Sequence, residues 1–282
     1  MRWAARLVRG RLTRVHLISV FAGCGVFAAV SFMPATSGAT GDTWRGGQSV
    51  GRGAAGVSSS GVPGTGQSFG GTAAVGALFT ESSGRLGGHF CTASVVHSPH
   101  GDLAITAAHC VTGAGSQIAF VPGYASGVDP YGVWQVTQVY TDRAWQSTRD
   151  PDDDVAFLRL SGAAGGPPVE SVTGAELVGA GAPDAGALVQ VIGYPNGAQQ
   201  PVWCAGWTKA FGATQLEFDC DGYTNGTSGG PFLAGVSASS GQGTVIGVIG
   251  GYQEGGDTPQ VSYSPAFGAA VAMLYQTAQA SG

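Results

Sequence analysis

Asn225-Gly226-Thr227-Ser228-Gly229-Gly230-Pro231 sets one hydroxyl between glycines, just ahead of a proline. Glycine tolerates positive φ and lets a substrate carbonyl come close to the main chain. The N–H groups of so tight a turn can converge on one point and stabilise a developing oxyanion there. The chemistry served is nucleophilic attack by a serine hydroxyl, provided a base lies within hydrogen-bond reach. A chain with 50 glycines also builds plain surface loops of this composition, and the segment alone fits both readings.

Ile105-Thr106-Ala107-Ala108-His109-Cys110 supplies a candidate base. Small residues at a strand end, then a cysteine able to form a bridge, would hold the imidazole rigidly. Taken alone, His109 equally fits a core histidine satisfied by backbone groups. The third segment is Asp150-Pro151-Asp152-Asp153-Asp154-Val155-Ala156-Phe157-Leu158. Asp154 abuts the apolar run, and a carboxylate drawn into a buried strand is costly unless paired. It could accept the imidazole N–H and fix the tautomer. Asp150, Asp152 and Asp153 read as a solvated turn, and the cluster of hard oxygen ligands is an alternative calcium site.

The elements that must position these residues are short, β-branched apolar runs bounded by Gly, Pro, Asn or Asp. They are Ala74–Thr80, Ala93–His97, Leu103–Ala107, Val133–Tyr140, Val155–Leu160, Ala187–Ile192 and Thr244–Ile249. That pattern is all-β. It predicts a barrel or sandwich of about 210 residues. Pro265–Ala280 departs from it: Phe267, Val271, Leu274 and Ala278 recur at helical spacing and predict one C-terminal helix.

With 43% hydrophobic and 10% charged residues, the chain can bury a large core. From residue 72 onward five cations face sixteen carboxylates, a balance that excludes nucleic acid as a partner. Five arginines precede residue 15, an apolar run follows over Val15–Met33, and Ser37-Gly38-Ala39 are small. This reads as a secretory signal over residues 1–39, cleaved after Ala39. An uncleaved anchor and a lipoprotein site at Cys24 are the alternatives. Residues 40–71 are rich in Gly, Ser and Thr without apolar periodicity, and are expected to be a linker or pro-segment. Beyond the signal remain Cys91, Cys110, Cys204 and Cys220, which permit three pairings. The nearest-neighbour pairing would staple one segment in each half. None has the close Cys/His spacing of a zinc site, and no metal is expected.

Phe90-Cys91-Thr92-Ala93-Ser94, Thr106-Ala107-Ala108-His109-Cys110, Asp154-Val155-Ala156-Phe157-Leu158 and Gly226-Thr227-Ser228-Gly229-Gly230-Pro231 resemble the motifs of chymotrypsin-like serine endopeptidases in order and spacing. Ile192-Gly193-Tyr194-Pro195 looks more like the secreted bacterial, glutamyl-endopeptidase-like branch. The resemblance covers residues 72–282. It implies two antiparallel six-stranded β-barrels with the site in the cleft between them, and a bridge Cys91–Cys110 beside the histidine. By the same resemblance Ser228 is the nucleophile, His109 the general base and acid, and Asp154 its orienting carboxylate. The N–H groups of Gly226 and Ser228 form the oxyanion hole. Asp221, Gly222 and Tyr223 on one side, with Gly250 and Gly251 on the other, are the expected pocket. Many members have aspartate just before the serine, paired with a new N-terminal amine; here Thr227 carries no charge. The glutamate-selective branch has a histidine near Ile249, and this chain has none there.

The expectation is a secreted, extracellular monomeric serine endopeptidase acting on proteins or peptides. It needs no cofactor and keeps no stable membrane association after signal cleavage. The alternative is a catalytically silent homologue serving as an extracellular binding module.

Overall fold

The computed structural model describes residues 64–111, 117–162, 165–181 and 185–281. The expected signal over 1–39 and the stretch 40–63 lie outside them. Two short strands, β1 (Gly64–Thr65) and β2 (Gln67–Ser68), precede six that close a barrel. These are β3 (Val75–Ser82), β4 (Arg85–Val96), β5 (Leu103–Thr106), β6 (Ile118–Pro122), β7 (Trp134–Thr141) and β8 (Ala156–Ser161). The ring runs β3-β4-β5-β8-β7-β6 and returns to β3, every pair antiparallel.

Its strands read as continuous apolar runs because both of their faces are buried. Side chains alternate across a strand. Ala104 and Leu158 pack inside the barrel with Leu78, Val95 and Phe120. Their neighbours Leu103, Ile105 and Phe157 pack outside it, against Ile192, Leu233 and Val248 of the C-terminal half.

That half contains β9 (Leu177–Val178), β10 (Leu188–Gly193), β11 (Val202–Trp207), β12 (Lys209–Phe211), β13 (Gln215–Asp221), β14 (Pro231–Ala234), β15 (Thr244–Val248) and β16 (Val261–Pro265). Here the expectation of a second closed six-stranded barrel is corrected: among the described residues the strands pair as two sheets. One runs β2-β11-β10-β14-β15-β9; in the other, β13 carries β12, β16 and β1. A third core fills the space between, with Val191, Phe232 and Ile246 meeting Leu216, Phe218 and Cys220.

β1 pairs with β13 (Gly64 opposite Cys220) and β2 with β11 (Trp203 opposite Gln67), so the N-terminal segment adds a strand to each of the two sheets. The disulfide Cys204–Cys220 links β11 to β13 across them. Among the described residues, strand pairing is already present at Gly64, eight residues before the expected domain start at Thr72.

Four α-helices and two 3-10 turns, Pro151–Asp153 and Tyr252–Gly255, complete the described residues; the α-helices are α1 (Ala108–Val111), α2 (Arg143–Thr148), α3 (Val169–Thr173) and α4 (Ala269–Ala280). α4 is the expected C-terminal helix. Val271 and Ala278 are buried, Tyr275 stacks on Phe157 at 5.1 Å, and Arg159 Nη2 donates to the Ala278 carbonyl at 2.7 Å. Phe267 is buried but precedes the helix. No helix among the described residues is long and apolar enough to cross a membrane.

Candidate active site

His109 and Asp154 meet because β5 and β8 are ladder neighbours, with Thr106 opposite Ala156. Immediately after β5 the chain turns into α1, and Cys110 is bridged back to Cys91 on β4. On the other strand, a 3-10 turn over Pro151–Asp153 delivers Asp154 just ahead of β8. Asp150 caps that turn, accepting from the Asp152 N–H at 3.1 Å. Asp152 accepts from Gln215 Nε2 at 2.7 Å. Burial and the neighbouring carboxylates push the Asp153 pKa up. The acidic residues thus diverge, and Asp154 alone turns inward, with no exposed surface.

Three N–H donors meet this buried carboxylate. The His109 backbone N–H donates to Oδ1 at 2.8 Å, the ring Nδ1 lies 2.7 Å from Oδ2, and the Gly251 N–H donates to Oδ2 at 2.8 Å. Because a carboxylate only accepts, Nδ1 holds the ring proton and Nε2 is left with a free lone pair. The His109 side chain keeps 13% of its surface exposed, enough to be reached.

The serine turn is buried at Gly226 and Thr227 and half-buried at Ser228. Gly226 has φ +97°, and any side chain there would meet Asn196 and the Tyr194 carbonyl, so only glycine fits. Gly229, at φ +79°, is pressed on Thr106 Oγ1, the Thr92 carbonyl and the Ala107 N–H. This contact sets the serine turn against the strand end that leads to His109. Thr227 directs both its N–H and its hydroxyl to the Thr224 carbonyl, at 3.1 and 2.8 Å. The Asn225 carbonyl accepts from Asn196 N–H at 2.7 Å and the Thr227 carbonyl from Gly230 N–H at 2.9 Å. A trans peptide points its N–H opposite its C=O. These two bonds therefore turn the N–H groups of Gly226 and Ser228 away from the protein, and neither has an acceptor among the described residues.

A cleft of about 470 Å³ opens beside Ser228. Asn196, Tyr223, Thr224 and Ile249 line it, with Glu254 and Asp257 also on its wall. Of the five residues expected in the pocket, Tyr223 lines this cleft and the other four lie elsewhere. Asp221 and Gly222 do not line the cleft: Asp221 ends β13, paired with Thr65, and accepts from Gln260 Nε2 at 3.1 Å. Gly250 and Gly251 lie on the carboxylate side instead. A Cβ on Gly250 would stand 2.9 Å from Asp154 Oδ2, and Gly251 is one of its donors. Tyr223 does line the cleft, but its hydroxyl donates to the Val191 carbonyl at 2.7 Å and is spent inside the core. Burial pushes that phenol up, so it stays neutral.

Cys91, Cys110 and His109 are the one group of three metal-type side chains that converges among the described residues. The two cysteines are bonded to each other, which leaves no thiolate for an ion. Gln215 and Asn196 bear on the site without any signal in the sequence, and Thr92 lies in a segment that carries the family resemblance but has no role legible there. Each acts through a contact between segments far apart in the chain.

Residues 91–248 match the trypsin-like peptidase domain family. No curated protein is significantly similar to the chain. Among solved structures, the protease Anisep from Arthrobacter nicotinovorans is 26% identical with a TM-score of 0.65, over 77% of this chain and all of that one. A thermostable serine protease from an extremophilic microorganism is 27% identical, TM-score 0.63, over 75% of this chain and 99% of that one. A Glu endopeptidase, 16% identical with a TM-score of 0.59 over 77% of this chain and 97% of that one, shares the fold. A mostly β, chymotrypsin-like fold, a match over more than half of the sequence and serine-protease neighbours converge: the chain belongs to the trypsin-like peptidase domain family and is a serine endopeptidase.

Proposed function

We propose that Ser228, His109 and Asp154 form the catalytic triad and that the N–H groups of Gly226 and Ser228 form the oxyanion hole. The observation that carries this is the orientation of His109. Asp154 fixes its Nδ1 proton, while the serine turn presents two N–H groups without acceptors among the described residues. Ser228 Oγ attacks the peptide carbonyl carbon as His109 Nε2 takes the hydroxyl proton. Negative charge develops on the carbonyl oxygen and is met by the two N–H groups. The C–N bond then breaks, His109 hands its proton to the leaving amine, and water releases the acyl group by the same steps. Asp154 keeps its charge throughout and stabilises the imidazolium.

Substrates are proteins or peptides, and the chain needs no cofactor and acts as a monomer. The two bridges suit an oxidising compartment. This supports secretion to the extracellular space after removal of residues 1–39. With Ile249 on the cleft wall and no histidine there, small or apolar side chains are preferred over glutamate at the cleavage point.

The test is intact-mass spectrometry of protein from the medium, treated with a fluorophosphonate. One adduct is expected on Ser228, lost in Ser228→Ala and strongly slowed in His109→Ala. A folded, disulfide-bonded protein that takes no adduct would put the silent binding module ahead.

A further inference from the structure

The serine turn lacks the charged residue that anchors it in many relatives, and its anchor here is a neutral one. Thr92, on β4 and without exposed surface, uses every polar group it has. Its hydroxyl donates to the Gly226 carbonyl at 3.0 Å and accepts from the Tyr194 N–H at 2.9 Å. Its backbone N–H donates to the Ser228 carbonyl at 2.7 Å, and its carbonyl accepts from Thr106 Oγ1 at 2.7 Å. One residue position therefore ties together the serine turn, the end of β10 and the strand that leads to His109.

We propose that Thr92 is a positioning residue, holding the Gly226–Ser228 turn in its oxyanion-binding form without an ion pair. The inference rests on the acyl-transfer reading above. Its physical basis is the peptide geometry of the turn. The carbonyls of Asn225 and Thr227 are fixed by Asn196 and Gly230, and those of Gly226 and Ser228, among the described residues, by Thr92 alone. Four consecutive carbonyls are then pinned, and a peptide flip between them would break at least one buried hydrogen bond. Without the Thr92 hydroxyl, the Gly226 carbonyl loses its partner, and the peptide plane joining Gly226 to Thr227 keeps only the Thr227 N–H bond to the Thr224 carbonyl at 3.1 Å, with positive-φ Gly226 able to take up a rotation. No bond in this set involves a charge. Competence is therefore independent of a newly cut N-terminal amine, and Thr227 in place of aspartate is no defect.

The experiment compares wild type, Thr92→Val and Thr92→Ser in steady-state hydrolysis of a small ester and in fluorophosphonate labelling. Removing an oxyanion donor outright costs about 10²- to 10³-fold, and a donor that is only misaimed sits below that range. Thr92→Val is expected to label fully at Ser228, but with its labelling rate and kcat lowered about 10- to 100-fold and KM changed little. Thr92→Ser keeps the hydroxyl and should recover most of the rate. The pH–rate profile should keep its shape, because His109 and Asp154 are untouched. Should Thr92→Val fail to fold, Thr92→Ala carries the same comparison against Thr92→Ser. Wild-type rates in the hydroxyl-free variant, no recovery in Thr92→Ser, or a displaced pH profile would each overturn the proposal. A wild type that takes no label overturns the acyl-transfer reading itself, and this inference with it.

Discussion

Asp154 grips His109 twice, once at the ring and once at the backbone, with each carboxylate oxygen taking one N–H. The two residues are 45 positions apart, yet the grip fixes ring orientation and tautomer together. The third donor, Gly251, reaches across from the C-terminal half, so the pair is locked from both sides of the cleft.

Asp154→Asn tests this grip. Three N–H groups point at a group that would now carry an NH2 of its own, so at least one faces a donor. The imidazole escapes the clash by reversing its tautomer, which places the proton on the nitrogen that must be bare. We expect kcat to fall about 10³- to 10⁴-fold, with KM and the melting temperature much less affected. Circular dichroism and steady-state kinetics decide it; a loss under about tenfold would remove Asp154 from the mechanism.

Glu176 gives the protein a pH-dependent stability that has nothing to do with catalysis. It is fully buried; Oε2 accepts from the Gly243 N–H at 2.5 Å and Oε1 has no partner among the described residues. Burial raises its pKa to about 7, from an ordinary 4.5. Between those values the folded chain holds a proton that the unfolded chain has lost. The stabilisation is complete below about pH 4.5, declines as pH rises through this window, and is gone above about 7. The span is on the order of 3 kcal/mol. Melting curves from about pH 5 to 8 should show this fall in the wild type and a flatter line in Glu176→Gln. An unchanged slope in the variant would assign the effect elsewhere.

The N-terminal segment is a structural part of the domain. A protein starting at Thr72 lacks β1 and β2, which uncovers ladder edges on β11 and β13 and the bridge against which Gly64 packs. Compared with one starting at Gly64, its melting temperature should drop by about 5–10 °C, equivalent to about 2–3 kcal/mol for a domain of this size. Fluorophosphonate labelling of Ser228 should persist, since none of the hydrogen bonds made by the described segment reaches His109 or Asp154. Equal melting temperatures would show that these pairings contribute nothing.

By itself the sequence determined what local chemistry determines. Short β-branched runs, a helical period near the C-terminus, and three motifs in the order His109, Asp154, Ser228 were all legible there, because each is a property of neighbouring residues. Even Asp154 stood out from the other acids, since it alone touches the apolar run. β13, with Leu216, Phe218 and Cys220 inward, carries its alternation in the sequence too, but glutamate and aspartate between them mask it. What only the tertiary structure decided are contacts made across the fold. Gly250 and Gly251 serve the carboxylate rather than the cleft because β15 ends beside Asp154, and no spacing rule registers that. Gly64–Ser68 looks like linker because glycine-rich strands bury little; their partners, β11 and β13, lie more than 130 residues away. Thr92 is one polar residue in an apolar run until the fold brings Gly226, Ser228, Tyr194 and Thr106 around it. A hydrogen bond needs both of its ends, and a sequence displays them one at a time.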